Sequence, residues 1–135
     1  MSLVYRVLIR HKGGLYSPLV AFDSPLCVAH VPGKWARTPQ VAEVHGYYIT
    51  VYEDVAQARR LWSNLTAYEI RPEFMQAYEI WACEARGIVR RLPPPINPHD
   101  INKGLIGPKY AHPGAPYWMD GTLMAREVRP IKTVY

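Results

Sequence analysis

The sequence predicts an α+β domain: a mainly antiparallel β-sheet, one main helix over about residues 54–65, and a long Pro-rich C-terminal arm that ends in a strand. Three observations predict it. Short β-branched and aromatic runs, separated by Gly and Pro turns, recur along the chain. A single stretch shows clean helical spacing of its apolar residues. Of 13 prolines, eight follow Leu92. The 135 residues suffice for one domain, 1–135, with 93–121 as a Pro/Gly-rich arm within it.

Residues 3–10 (Leu-Val-Tyr-Arg-Val-Leu-Ile-Arg) read as the first strand, ended by the turn Lys12-Gly13-Gly14. Residues 15–22 are its hairpin partner, and Pro18 removes a ladder donor, so that strand sits at an edge or breaks there. Residues 26–31 form a third strand, closed by Pro32-Gly33, and 32–40 are a loop. Residues 44–52 are strand again. Asp54 then stands as a helix N-cap, with Glu53 beside it favouring the positive end of the helix dipole. Val55, Ala58, Leu61, Trp62 and Leu65 fall on one face, with Arg59 and Arg60 towards the other. Residues 78–85 are strand, punctuated by Gly87. Residues 92–98 are held extended by four prolines, 100–105 form a helical turn stopped by Gly104, and 122–128 are the last strand.

Composition excludes several function classes. With 49% hydrophobic and 20% charged residues, the chain packs a core rather than staying disordered. No apolar run approaches the ~18 residues of a membrane span, and the N-terminus lacks a signal peptide's pattern, so a cytoplasmic protein is expected. The net charge of +5 is spread out, with no Lys/Arg run longer than two, too weak a footprint for specific nucleic-acid binding. Two cysteines without a CxxC pair make neither a disulfide scaffold nor a cysteine-rich zinc site; Cys27 and Cys83 read as small buried hydrophobes. HExxH, GxSxG, Walker A and GxGxxG are all missing, and the five histidines are scattered. No catalytic residue, metal or cofactor is therefore expected.

What remains is arginine with aromatic residues at loops and strand ends. Eleven of the sixteen basic residues are Arg, whose planar fork suits phosphate. The candidate ligand-binding set is the loop Lys34, Trp35 and Arg37, the pair Arg59 and Arg60, the pair Arg90 and Arg91, then Asn102, Lys103 and Arg126. Cations beside an indole can hold a phosphate and stack a base. The plainer reading is that Arg59 solvates a helix face and Trp35 anchors its loop.

Two resemblances follow from these residues. The succession of Val4-Tyr5-Arg6-Val7, His45-Gly46-Tyr47-Tyr48, the helix from Asp54 to Leu65, and residues 78–84 resembles the layout of small ADP-ribosyltransferase-like domains. That family implies an Arg or His on the first strand and a glutamate on a later one. Arg6 and Tyr48 match the first part, whereas Glu84 and Glu127 each stand alone without a Gln/Glu-x-Glu. The opening strand, Tyr52-Glu53-Asp54, Tyr78-Glu79-Ile80-Trp81-Ala82-Cys83-Glu84 and the closing run 121–128 are similar to the first-described Thoeris anti-defence proteins of phages. This second resemblance implies a non-enzymatic protein that sequesters a cyclic ADP-ribose signal in the host cytoplasm. The alternatives are a virion or assembly component whose arm drapes over a neighbour, and a divergent ADP-ribosyltransferase-like enzyme. A homo-oligomer with the arm at its interface is expected, because a segment that cannot build its own core lies on something.

Overall fold

A computed structural model describes residues 3–18, 22–68, 77–96, 118 and 121–135. The first hairpin joins β1 (Val4–His11) to β2 (Gly14–Tyr16). Lys12 and Gly13 both take positive φ, 49° and 81°, the two-residue turn whose twist matches that of the strands. β2 stops before Pro18 and pairs on its other side with β3 (Ala29–His30). The stretch expected as a loop contains β4 (Ala36–Arg37), and the single helical turn α1 (Gln40–Glu43) follows it. β5 (Ile49–Tyr52), α2 (Val55–Tyr68), β6 (Tyr78–Val89) and β7 (Thr122–Thr133) complete the order.

All pairings are antiparallel. β1 pairs with β5 and β6, and β7 pairs with the same two strands, so β1–β5–β7–β6 is a closed ring. The expected α+β class is corrected on this point: the protein is mainly β, a four-strand barrel carrying one main helix. Closure follows from strand length. β6 and β7 run 12 residues each, so β6 uses 78–83 against β1 and 81–89 against β7. Pairing on both sides of one strand is a long-range property that period-2 patterning does not record.

Apolar side chains divide by face. Val4, Leu8, Val51, Trp81, Cys83 and Val128 fill the barrel. Val7, Ile9, Tyr52 and Ile80 point outward, beneath Val55, Ala58, Leu61, Trp62 and Leu65 of α2. The Asp54 carboxylate accepts from the Gln57 backbone N–H at 3.2 Å and the Gln57 side chain accepts from the Asp54 N–H at 3.3 Å, a reciprocal cap. Trp62 Nε1 donates to the Tyr78 carbonyl at 2.9 Å, tying α2 to β6. The helix bounds are also corrected, since α2 runs to Tyr68.

Of the expected arm, residues 93–96, 118 and 121 are described. Ile96 is buried with Leu26, Ala42, Tyr47 and Met124. The Tyr47 hydroxyl donates to the Pro94 carbonyl at 2.6 Å and Trp118 Nε1 to the Pro93 carbonyl at 2.7 Å. The helical turn expected at 100–105 lies outside the described residues. Among the described residues no helix is long and apolar enough to cross a membrane.

Candidate functional site

β6 and β7 place charge opposite charge. Their register sets Glu84 against Arg129 and Arg86 against Glu127. Arg129 donates to Glu84, and Arg86 donates to Glu127 at 3.1 Å. Trp35, just before β4, lies beside both arginines: the Arg86 guanidinium is 3.6 Å and that of Arg129 5.1 Å from its ring centre. Trp35 thus anchors its loop through cation–π contacts, each worth about 0.5–1 kcal/mol.

One step along the strands the pattern changes. Arg126 stands just beyond these pairs in β7, at the level of Gly87 in β6. Gly87 has φ of 68°, and a Cβ there would come within 2.8 Å of Arg126 Cδ, so the arginine stem occupies space that only glycine leaves. The Arg126 guanidinium reaches Glu43 at 3.5 Å and lies 5.3 Å from the Tyr48 ring centre. Arg37, from β4, reaches the other oxygen of the same carboxylate at 3.6 Å. An open groove of about 630 Å³ lies here, lined by Arg37, Thr38, Gln40, Glu43 and Val44. That volume falls within the range of small-molecule sites. Four guanidiniums (Arg37, Arg86, Arg126 and Arg129) pair with three carboxylates (Glu43, Glu84 and Glu127) around β4 and the β6–β7 ladder, leaving one positive charge in excess.

Arg37, from the Lys34-Trp35-Arg37 loop, and Arg126, from the other end of the sequence-derived set, are thus brought together at Glu43, with Trp35 two residues from Arg37. Others are placed elsewhere. Arg90 pairs with Glu53 at 2.7 Å, and Arg59 lies over Tyr135, past the far end of β7. Lys34, Arg60 and Arg91 are exposed. Asn102 and Lys103 lie outside the described residues. Sequence reasoning missed Glu43, Tyr48 and Arg129 as parts of this face. The signal available was the period-2 spacing Glu84-x-Arg86 and Glu127-x-Arg129 on two strands.

A second polar centre is enclosed by β1, β2, β3 and β5. Arg6 is 4% exposed and points from β1 into a set of neutral acceptors. Its Nε donates to His30 Nε2 at 3.2 Å, Nη1 to the Thr50 carbonyl at 2.8 Å and hydroxyl at 3.3 Å, and Nη2 to Ser17 Oγ at 2.8 Å. Ser17 Oγ also accepts from the Val28 N–H at 3.0 Å, carrying the network into the segment before β3. Among the described residues no carboxylate pairs with Arg6. Burial pulls its pKa down to about 10, which leaves it charged at neutral pH. Burial, and then the Arg6 charge, push His30 down to about 3, so its imidazole is neutral. With Nε2 accepting, the imidazole proton sits on Nδ1, which has no hydrogen-bond partner among the described residues. Burial raises the Cys83 thiol to about 12 and also raises Cys27, so neither thiol is activated as a nucleophile.

Comparison with protein-family models, with curated proteins and with solved structures found no match to this chain.

Proposed function

We propose that this protein binds and sequesters a small phosphorylated adenine nucleotide, of the cyclic ADP-ribose kind, without turning it over. Its phosphate and base would lie in the groove lined by Arg37 and Glu43, next to Arg126, which reaches Glu43 and the Tyr48 ring. One observation carries the reading: two exposed guanidiniums converge on a single anionic group, Glu43, which with Arg37 lines an open groove of about 630 Å³, and among the described residues neither guanidinium makes a hydrogen bond. Their planar forks retain the donors that phosphate oxygens accept. Aromatic rings stand beside them: Tyr48 against Arg126, and Trp35 two residues before Arg37. Both Arg6 and Cys83 are buried in the interior, away from such a ligand. The same reading carries a cytoplasmic location and a homo-oligomer, the latter argued from the Pro-rich composition of 93–121.

Isothermal calorimetry with cyclic ADP-ribose, linear ADP-ribose, a cyclic dinucleotide and ATP tests it. At least one of these is expected to bind at micromolar or tighter affinity, and to be released intact on heat denaturation. Binding of none below high micromolar, or recovery of a cleaved ligand, overturns the proposal.

A further inference from the structure

The charged pairs on this protein are of two kinds. Arg10 grips Glu79 through two hydrogen bonds, at 2.6 and 3.1 Å, and Arg86–Glu127 and Arg90–Glu53 close at 3.1 and 2.7 Å. Glu43 differs. Its two oxygens stand 3.6 Å from Arg37 and 3.5 Å from Arg126, each in charge contact and neither hydrogen-bonded. Its side chain is 20% exposed, while those of Arg37 and Arg126 are 70% and 55% exposed. The acid is held in place from below, because the α1 turn fixes its backbone through Glu43 N–H to the Pro39 carbonyl and Gly46 N–H to the Glu43 carbonyl, both at 3.0 Å. Two exposed forks therefore share one partly buried carboxylate that fills the donors of neither.

We infer that Glu43 is a built-in competitor for the ligand's phosphate: a resident anion that occupies the space between Arg37 and Arg126 until an anion of higher charge takes both guanidiniums. This deepens the function proposed above and rests on it. A carboxylate carries one charge and two acceptor oxygens. Another singly charged anion entering the groove gains little over Glu43, so acetate and chloride are turned away. The pyrophosphate of such a nucleotide carries two charges, one on each phosphate, and presents an acceptor group to each fork, while inorganic phosphate carries up to two charges on one group. Glu43 thereby sets an affinity threshold and selects phosphate over carboxylate.

The test is Glu43→Gln, which keeps shape and removes charge, with Glu43→Ala as a second variant and thermal unfolding to confirm that each folds. Inorganic phosphate, acetate and cyclic ADP-ribose are the probes, by calorimetry and by NMR of the Arg side-chain N–H groups. Both variants are expected to bind the nucleotide and inorganic phosphate roughly three- to tenfold more tightly than the parent, as fits the removal of two exposed ion pairs. Adding Arg37→Ala to Glu43→Gln should erase the gain. If the parent binds nucleotide and Arg37→Ala weakens it, but Glu43→Gln leaves affinity unchanged or lower, this inference is overturned and the proposed function stands. If neither parent nor variants bind any probe, both fall together.

Discussion

Arg6 and the Arg37–Arg126 pair are the same side chain in two physical situations. Arg6 is enclosed, 4% exposed, and gives its hydrogen bonds to a histidine, a serine, and both the carbonyl and hydroxyl of a threonine. Arg37 and Arg126 reach into solvent and share one carboxylate without a hydrogen bond. Removing a guanidinium from water is expensive, so a buried one persists only where its donors are met. An exposed one needs no partner, and its unused donors remain free for a ligand. The first arrangement organises β1, β2, β3 and β5; the second is the one able to recognise an anion.

The sharpest way to break this comparison is Arg6→Met. Four buried or half-buried acceptors lose their donor, and stability is expected to fall by about 2–4 kcal/mol, read by urea denaturation. Relief of the buried charge offsets part of the loss. An unchanged or raised stability would show that Arg6 does not organise the barrel wall.

Next in size is a dependence on acid. In the unfolded chain His30 takes up its proton near 6.5, but in the native protein only near 3. Between those values the unfolded state binds more protons, so stability falls as pH drops, by about 1.4 kcal/mol per pH unit. By pH 4.5 the parent should have lost about 3 kcal/mol more than His30→Gln, which has no proton to take up. Parallel curves for the two proteins would place His30 in contact with water.

The exposed pair should behave in the opposite way. Arg37→Ala or Arg126→Ala is expected to leave folding stability within about 0.5 kcal/mol of the parent. Nucleotide affinity should drop by roughly ten- to a hundredfold, and Lys should restore only part of it. Arg90→Ala, which removes a separate exposed pair with Glu53, should change neither quantity.

The smallest effect ties the fold to the groove. Gly87→Ala forces a side chain into a left-handed backbone and against the Arg126 stem. A loss of about 1–2 kcal/mol in stability is expected, together with weaker nucleotide binding as Arg126 is displaced. Loss of stability with unchanged binding would separate Arg126 from the site.

How much of this was legible is best judged residue by residue. The Asp54 cap and the inward row from Val55 to Leu65 follow from local chemistry, because one helical turn contains all the groups involved. The Lys12-Gly13 turn is local in the same sense. By contrast the enclosure of Arg6, which the sequence matches only to the first-strand Arg of ADP-ribosyltransferase-like domains, is not local. Its burial depends on His30, Ser17 and Thr50, which lie 24, 11 and 44 residues away. Likewise the candidate set rests on arginine beside tryptophan in the sequence, but which of those arginines share a surface is not legible there. Arg37 and Arg126 meet only because β4 lies along β7.

Local patterning along the chain already fixes the alternation of strands and turns, a long helix with its cap, and an arginine-rich composition with an excess of positive charge. These depend on periodicity, backbone preference and composition, all properties of neighbouring residues. Only the tertiary structure decided that four strands close into a barrel, that one arginine is enclosed while two others share Glu43, and that glycine at 87 makes room for Arg126. Those outcomes turn on strand register and packing between distant segments. Such contacts form only when the whole chain is folded, and no window of sequence carries them.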